Sequence, residues 1–354
     1  MTDTLTKLTY QAFQQGKSYF GVAHKTLSTQ IAKLVSPPPE DNTVPLSPEV
    51  LALLQRSIER LQEEDWQDAE RGLYPTEILF DNPWLDFFQY YPLVWVDLPK
   101  IWERVDRKEY QRFDSDIDTV DYPKYYVQNF HHQTDGYLSD LSANLYDLQV
   151  ELLFNGSADA MRRRVLAPLK QGLTHFSDVR PAQQRVLDVA TGTGRTLRFL
   201  RNTLPKASLH GTDLSPAYLR KANQQLSELP GTLPQLCQAN AENLPYRDDY
   251  FHAATCVFLF HELPPQARQN VIDQCYRVLK PGGTFVICDS IQKNDEPKFA
   301  PLLHNFPTIF HEPYYRSYTE DDMTARLEKA GFTDIETQVH FMSKYWIARK
   351  VMRS

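Results

Sequence analysis

The sequence predicts an α/β fold with a mostly parallel seven-stranded sheet, helices on both faces of that sheet, and a mainly helical domain before it. From Arg185 onwards, short apolar runs alternate with segments of helical periodicity, a succession typical of a parallel sheet. Before Arg185, apolar and aromatic residues recur mainly at helical spacing. We therefore expect a helical N-terminal or cap domain, residues 1–165, followed by a sheet domain, residues 166–354.

The N-terminal region begins with two helix candidates. Residues 1–35 carry apolar positions at helical spacing, and the three prolines at 37–39 end that pattern. A second helix is expected to begin at Ser47, because its hydroxyl can cap a helix and Pro48 suits the first turn.

An aromatic, proline-rich stretch follows, from residue 73 to about residue 130. Pro83, Pro92 and Pro99 divide it, and proline inside a helix removes a backbone donor. We therefore expect several short helices here, with aromatic side chains that fill a core or line a substrate pocket. Helical spacing returns over residues 131–172.

The sheet domain contains seven strand candidates, and a helix that ends at Gly331 precedes the last two of them. An insertion at about 291–318 is expected to form a lid. This order of strands and helices predicts a Rossmann-like sheet. The strand candidates are RVLDVA, ASLHGTDL, LPQLCQAN, YFHAATCVFLF, GGTFVICDS, Ile335–Met342 and Tyr345–Val351.

Bulk composition narrows the class of protein. A net charge of −7 and a pI near 5.8 give no basic footprint for nucleic acid. No stretch approaches the roughly 20 apolar residues that span a bilayer, and the N-terminus lacks the pattern of a signal peptide. We expect a cytoplasmic protein without a transmembrane segment, although contact with a membrane surface and the oligomeric state stay open. Four widely spaced cysteines suggest reduced thiols.

One segment, VLDVATGTGRTLRFL, indicates a cofactor site. Gly192 and Gly194 allow a tight turn between a strand and a helix. Leu197 stands where a dinucleotide fingerprint requires a third glycine. Asp188 would oppose a pyrophosphate but suits a cationic sulfonium, and Asp213, which ends the next strand, could bind both ribose hydroxyls. These features favour S-adenosylmethionine over a dinucleotide.

The same segments resemble a known family. VLDVATGTGRT, GTDLSPAYLRKAN, NAENLPYRDDYFHAATCVFLFHELP and RVLKPGGTFVICDS are similar to the successive motifs of class I S-adenosylmethionine-dependent methyltransferases. The most similar subgroup includes the ubiquinone and menaquinone C-methyltransferases. The resemblance covers about residues 142–349, whereas residues 1–130 have no counterpart in the short quinone enzymes.

The resemblance implies a set of cofactor-binding residues. Asp188, Gly192 and Gly194 would frame the methionine end, and Asp213 would hold the ribose. The others would contact the adenine, close over the cofactor or shape the turn. The full set is Tyr146, Asp188, Ala190, Thr191, Gly192, Gly194, Asp213, Leu214, Asn240, Ala241, Glu242 and Phe258.

Methyl transfer requires alignment and exclusion of water, and a base only when the acceptor must lose a proton. His261, after the fourth strand candidate, is the first candidate for a base, although a structural or substrate-contacting role is also open. His311 is the second candidate, and it lies in the insertion whose aromatic residues Phe306, Phe310 and Tyr314 could line an acceptor pocket. We expect no metal site, because the adjacent His131 and His132 cannot share a helix face and no ligand partner is evident.

Several functions remain open at this point. An enzyme that methylates a small apolar or aromatic acceptor, such as a quinone, phenol, isoprenoid or lipid-like molecule, agrees with the aromatic cap. A protein methyltransferase could use that cap as a docking surface. A non-catalytic scaffold that binds the cofactor is the third alternative, and a nicotinamide oxidoreductase is a distant fourth. A closed apolar cavity would favour the first function and an open groove the second.

Overall fold

A computed structural model describes residues 4–35, 43–82 and 84–352 of the chain. Seven strands form one sheet: β1 (Arg185–Val189), β2 (Ser208–Asp213), β3 (Gln235–Gln238), β4 (Phe251–Val257), β5 (Leu279–Ser290), β6 (Phe332–His340) and β7 (Ser343–Lys350). Their order across the sheet is β3-β2-β1-β4-β5-β7-β6, and strands β1 to β5 pair with one another in parallel. β7 runs antiparallel to β5 and to β6. The predicted fold class is confirmed.

The central strands are buried along almost their whole length because helices cover both faces. Every residue of β4 before Val257 is buried, and β5 is buried over eight consecutive residues. Such continuous apolar runs are typical of parallel strands with two covered faces. The order of the strands reverses between β1 and β4, and the carboxyl edge at such a point is where open α/β sheets bind ligands.

Twelve α-helices are described. They are α1 (Thr4–Val35), α2 (Pro48–Glu70), α3 (Trp84–Arg107), α4 (Asp140–Leu153), α5 (Ala158–Arg163), α6 (Leu166–Leu173), α7 (Arg195–Thr203), α8 (Pro216–Ser227), α9 (Pro265–Val278), α10 (Ala300–Ile309), α11 (Tyr315–Thr319) and α12 (Met323–Ala330). The predicted cap of α2 is confirmed, since the Ser47 side chain accepts from the Val50 N–H. The proline break at 37–39 lies outside the described residues, as does Pro83.

The expectation of several short helices after residue 83 was wrong. Helix α3 is 24 residues long and runs through Pro92 and Pro99 without interruption. Both prolines lie on the exposed side of the helix, so water can satisfy the carbonyls that lose a backbone donor. The inner side packs its aromatic rings against α1, for example Tyr91 on Phe20 with ring centroids 5.2 Å apart. Tertiary packing therefore outweighs the local cost of proline.

The N-terminal helices share a hydrophobic core with the sheet. Tyr10 of α1 and Trp66 of α2 are 1% exposed and belong to the same buried cluster as Val186 of β1 and Leu197 of α7. A buried ion pair also connects the two regions: Asp159 Oδ2 of α5 lies 2.5 Å from Arg195 Nη2, the first residue of α7. The helix that follows the glycine-rich turn is therefore fixed to the N-terminal helices. In the described ranges, no helix is both long and apolar enough to cross a membrane.

Candidate cofactor and acceptor site

The glycine-rich turn between β1 and α7 lies at the carboxyl edge of the sheet. Gly192 and Gly194 have φ angles of 56° and 84°, in the left-handed region that favours glycine. A side chain at Gly194 would approach Ala222 of α8 within 3.1 Å, so this glycine permits close helix packing. At Gly192, the nearest atom to such a side chain lies 4.0 Å away, which leaves the backbone open to a ligand. Ala190 also has a positive φ, of 54°.

Two carboxyl groups hold this turn from below and from the side. Asp188 is 1% exposed and accepts the Thr191 hydroxyl at 2.6 Å. Asp213 accepts the Gly192 N–H through Oδ2 and the Ser215 N–H through Oδ1, each at 2.8 Å. Burial raises the pKa of Asp188 to about 7 and that of Asp213 to about 6. A cation at this edge would favour the ionised form of both groups.

Eight of the twelve predicted cofactor residues line one crevice above the turn. They are Tyr146, Ala190, Gly192, Asp213, Leu214, Asn240, Ala241 and Phe258. The other four do not line it. Asp188 and Thr191 lie beneath the turn, Gly194 faces α8, and the Glu242 carboxylate is held by Tyr125 and Asn270 at 2.5 and 2.7 Å.

Tyrosine side chains cover this crevice, and its volume is only about 90 Å³. Tyr125 and Tyr126 come from the loop after α3, and Tyr137 comes from the loop before α4. Tyr125 donates to Glu242, and Tyr137 donates to Glu262. Small-ligand sites usually occupy about 300–1,000 Å³, so a nucleoside cofactor requires these tyrosines to move outward. We define Tyr125, Tyr126 and Tyr137 as the tyrosine cover.

A second, larger cavity of about 620 Å³ adjoins the crevice. The two share the side chains of Tyr146, Phe258 and Glu262. Most of its lining is apolar, and it comes from α2, α4, the turn after β4 and the insertion after β5. Among the residues predicted for an acceptor pocket, Phe306 and Phe310 line this cavity. Tyr314 packs instead beside a buried cluster that contains Phe130 and Tyr137. The remaining apolar lining includes Leu54, Val150, Leu302, Phe341 and Met342.

The structure separates the two histidines proposed as bases. His261 lines the larger cavity, and its Nδ1 lies 2.7 Å from Asp289 Oδ1. Burial would lower the pKa of His261, but the Asp289 carboxylate outweighs this effect and raises it to about 9. The ring is then already protonated at neutral pH and cannot accept a further proton. With no cation beside it, His261 therefore makes a poor resting base.

His311 does not line the cavity. Its ring stacks on Tyr110 with centroids 4.1 Å apart, and its Nε2 lies 2.7 Å from Gln128 Oε1. Burial, together with the charge of His131, lowers the pKa of His311 to about 4. The neutral ring forms part of the wall between the insertion and the loop before α4.

Several residues of the site were not found by sequence reasoning. Asp289 ends β5 at the same edge at which Asp188 and Asp213 lie, so the rule that selected those two would also have selected it. The tyrosine cover and Glu312 carry no comparable signal. Their contacts join segments more than 100 residues apart in the chain, such as Tyr125 with Glu242.

Known proteins with similar sequences include several methyltransferases. A family model described as "Methyltransferase domain" matches residues 186–283. The demethylmenaquinone methyltransferase of Thermotoga maritima is 31% identical over 48% of this chain and 66% of its own length. The demethylmenaquinone methyltransferase of Streptomyces avermitilis is 32% identical over 54% of this chain and 83% of its own length. The malonyl-[acyl-carrier protein] O-methyltransferase of Geobacter sulfurreducens is 30% identical over 51% and 68%. The chain thus spans just under two thirds of the Thermotoga protein.

The side chains at the crevice fit a cationic nucleoside cofactor. Asp213 offers a carboxylate to hydroxyl donors, and Gly192 leaves room for close approach. Asn240 can both accept from an amine and donate to a ring nitrogen. Asp188 places a negative charge beneath the turn, which favours a sulfonium and disfavours a phosphate.

Proposed function

Because this chain belongs to the S-adenosylmethionine-dependent methyltransferases of class I, we propose that it methylates a small apolar or aromatic acceptor held in the larger cavity. The observation that carries the proposal is the 620 Å³ cavity, which adjoins the cofactor crevice and is lined mainly by apolar side chains. Cavities of this size and polarity suit small molecules. Acceptors of the quinone, phenol, isoprenoid or lipid-like classes match this lining.

The residues of this chain would bind and align the two reactants. Bound S-adenosylmethionine supplies an activated methyl group, so the protein has to align it and exclude water. Asp213, Asn240 and Gly192 would hold the nucleoside, and the tyrosine cover would exclude water above it. Phe258, Tyr146 and Glu262 separate the crevice from the cavity, so the methyl group would face the acceptor between them.

The domain boundary at residue 165 remains part of this proposal. We infer that residues 1–165 act as a cap whose helices complete the acceptor cavity. Leu54 of α2 and Val150 of α4 line that cavity from the N-terminal side, and Phe306 lines it from the insertion at 291–318. The insertion would act as the lid on the opposite wall.

Cofactor affinity should depend on pH through the two buried carboxyl groups. The pKa of Asp188 is about 7 and that of Asp213 about 6, and the bound cofactor requires both to be ionised. Below pH 7, binding must therefore release protons, and the affinity should fall about tenfold per pH unit for each proton released. Calorimetry between pH 5.5 and 7.5, in two buffers of different ionisation enthalpy, measures both the affinity and the protons released.

Asp188→Asn provides the control for this pH dependence. The variant should bind more weakly at pH 7.5 and should lose the part of the pH dependence that lies between pH 6 and 7. An affinity that stays constant from pH 6 to pH 7.5 in the unmodified protein would contradict the assignment of these carboxyl groups.

Narrowing the larger cavity should impair the use of the acceptor without affecting the cofactor. Leu302→Trp adds a bulky ring to the wall formed by α10. We expect kcat/KM for the acceptor to fall by about 5- to 150-fold, since overpacking costs about 1–3 kcal/mol. The affinity for S-adenosylmethionine should not change, because Leu302 does not line the crevice. Equal losses for both ligands would mean that the cavity is not a separate acceptor site.

The acceptor itself is identified by labelled methyl transfer. Purified full-length protein with radiolabelled S-adenosylmethionine is offered three acceptor sets: a lipid extract with added quinols and phenols, a holo-acyl carrier protein bearing malonyl groups, and a whole-protein extract. Label in an extractable small molecule supports the proposal. Label in protein favours docking of another chain, and cofactor binding without any transfer favours a scaffold. The acyl carrier protein is included because the Geobacter relative is named for that acceptor.

A further inference from the structure

We propose that four side chains between the crevice and the larger cavity bind one divalent transition-metal ion: His131, His261, Glu262 and Glu312. Binding of the ion follows from the geometry of these residues alone. Its role in holding the acceptor rests on the proposed function. The expectation of no metal site was based on the sequence around His131 and His132, where the partners from distant segments cannot be seen.

The ligand atoms of the four residues already lie within 4.8 Å of one another. His131 Nε2 is 3.0 Å from Glu312 Oε1 and 3.5 Å from Glu262 Oε1, and His261 Nε2 is 3.9 Å from the same Glu262 oxygen. Tetrahedral ligands about 2.1 Å from a metal ion stand about 3.4 Å apart. Only small shifts would therefore bring these atoms to coordination distance.

The surrounding residues orient these ligands as metal sites require. His261 uses Nδ1 to bond Asp289, so its Nε2 faces the cluster. Asp289 is itself fixed, because it accepts the Phe260 N–H at 2.6 Å and the Ser290 N–H at 2.7 Å. A histidine that coordinates a metal almost always gives its other ring nitrogen to a carboxylate, a carbonyl or water. The Tyr137 hydroxyl donates to the Glu262 carboxylate and so orients this second ligand.

The buried carboxylate of Glu312 is the strongest indication that a cation binds here. Its side chain is 0% exposed, and apart from the His131 ring no donor in the described part of the chain satisfies its carboxylate oxygens. Glu262 adds a second carboxylate, which is 12% exposed. The buried Glu312 carboxylate, with only the His131 ring beside it, carries a large desolvation cost, and a divalent ion would offset it.

The donor set selects the class of ion. Two imidazole nitrogens and two carboxylates suit Zn²⁺, Mn²⁺, Fe²⁺ or Co²⁺, whereas Mg²⁺ and Ca²⁺ prefer oxygen ligands. With neutral imidazoles the ligands carry a charge of about −2, which a divalent ion neutralises. His131, His261 and Glu262 also line the acceptor cavity, so the ion would face it. We infer an acceptor that carries an oxygen atom, which the ion would bind and align.

Reconstitution with Co²⁺ tests this inference without any substrate. Purified full-length protein is treated with a chelator, loaded with Co²⁺, freed of excess metal, and measured by mass spectrometry for metal content and by visible absorption for the ligand field. We expect about one ion per chain and ligand-field bands of a site with nitrogen ligands. Glu312→Gln should reduce the Co²⁺ affinity at least tenfold, and Asp289→Asn about 10- to 100-fold, because it only positions His261.

The controls separate this site from adventitious binding. Glu320→Gln and His304→Asn change exposed residues in or beside the same insertion and should bind Co²⁺ as the unmodified protein does. Circular dichroism and calorimetry with S-adenosylmethionine verify that each variant is folded. Unmodified protein that retains no Co²⁺, or Glu312→Gln that retains it undiminished, would overturn the inference. Co²⁺ binding without methyl transfer would count against the proposed function alone, and transfer by metal-free protein against the role of the ion in holding the acceptor.

Discussion

Asp213→Ala is expected to weaken the binding of S-adenosylmethionine by at least about 100-fold. In the proposed complex the carboxylate accepts both ribose hydroxyls, and hydrogen bonds to a charged group contribute roughly 1.5–3 kcal/mol each. A loss of about 3 kcal/mol corresponds to about 100-fold in affinity. The substitution also removes the acceptor of the Gly192 N–H, so the glycine-rich turn loses part of its order. Titration calorimetry with S-adenosylmethionine and with its demethylated product measures the effect.

Asp213→Asn and Asp248→Ala complete this experiment. The asparagine retains an oxygen for the Gly192 N–H but loses the charge, so its affinity should lie between those of the unmodified protein and Asp213→Ala. Asp248 is 72% exposed and pairs with Arg277 at the surface, so its replacement should leave the affinity unchanged. If Asp213→Ala bound within about threefold of the unmodified protein, the ribose would not be held by this carboxylate.

Asp159→Ala is expected to lower the free energy of unfolding by about 3–5 kcal/mol. Asp159 contacts Arg195 at 2.5 Å and Arg162 at 3.1 Å, and all three side chains are at most 5% exposed. The two guanidinium groups hold the pKa of Asp159 well below its usual range, although burial alone would raise it. Removal of the carboxylate leaves two buried cations without their partner, which is the costly way to break a buried ion pair. The melting temperature should fall by roughly 10 °C.

Urea unfolding followed by circular dichroism measures this loss, and two further variants control it. Glu49→Ala removes an exposed ion pair with Lys298 and should change the free energy of unfolding by less than about 0.5 kcal/mol. Asp159→Ala combined with Arg195→Met also removes one of the two guanidinium groups left unpaired and should recover part of the stability. A loss below about 1 kcal/mol for the single variant would mean that the N-terminal helices and α7 are not held together by this pair.

The sheet and its cofactor edge could be predicted because their signals are local. The central strands β1, β4 and β5 contain continuous buried runs, and Asp188, Gly192 and Asp213 each stand near a strand end or in the turn that follows it. Helix α3 could not be predicted, since the proline rule considers only the backbone. The exposed positions of Pro92 and Pro99, which make them tolerable, depend on how the helix packs.

The contacts inside the site join residues that lie far apart in the sequence. His131 meets Glu312 across 181 positions of the chain, and Tyr137 meets Glu262 across 125. No periodicity or spacing expresses such contacts. Two adjacent histidines in the sequence therefore gave no sign that one of them, with φ at 53°, turns toward two carboxylates. The cofactor could therefore be predicted from the sequence. The cluster of His131, His261, Glu262 and Glu312 could be recognised only in the folded structure.

If the proposed methyl transfer takes place, the closed crevice would impose an order on each catalytic cycle. The methyl donor would enter once Tyr125 releases Glu242 and Tyr137 releases Glu262, and the demethylated product would leave once both contacts break again. These two phenol–carboxylate contacts would then govern the residence time of the product. A cycle of this kind slows as solvent viscosity rises, even when the bond-making step is fast.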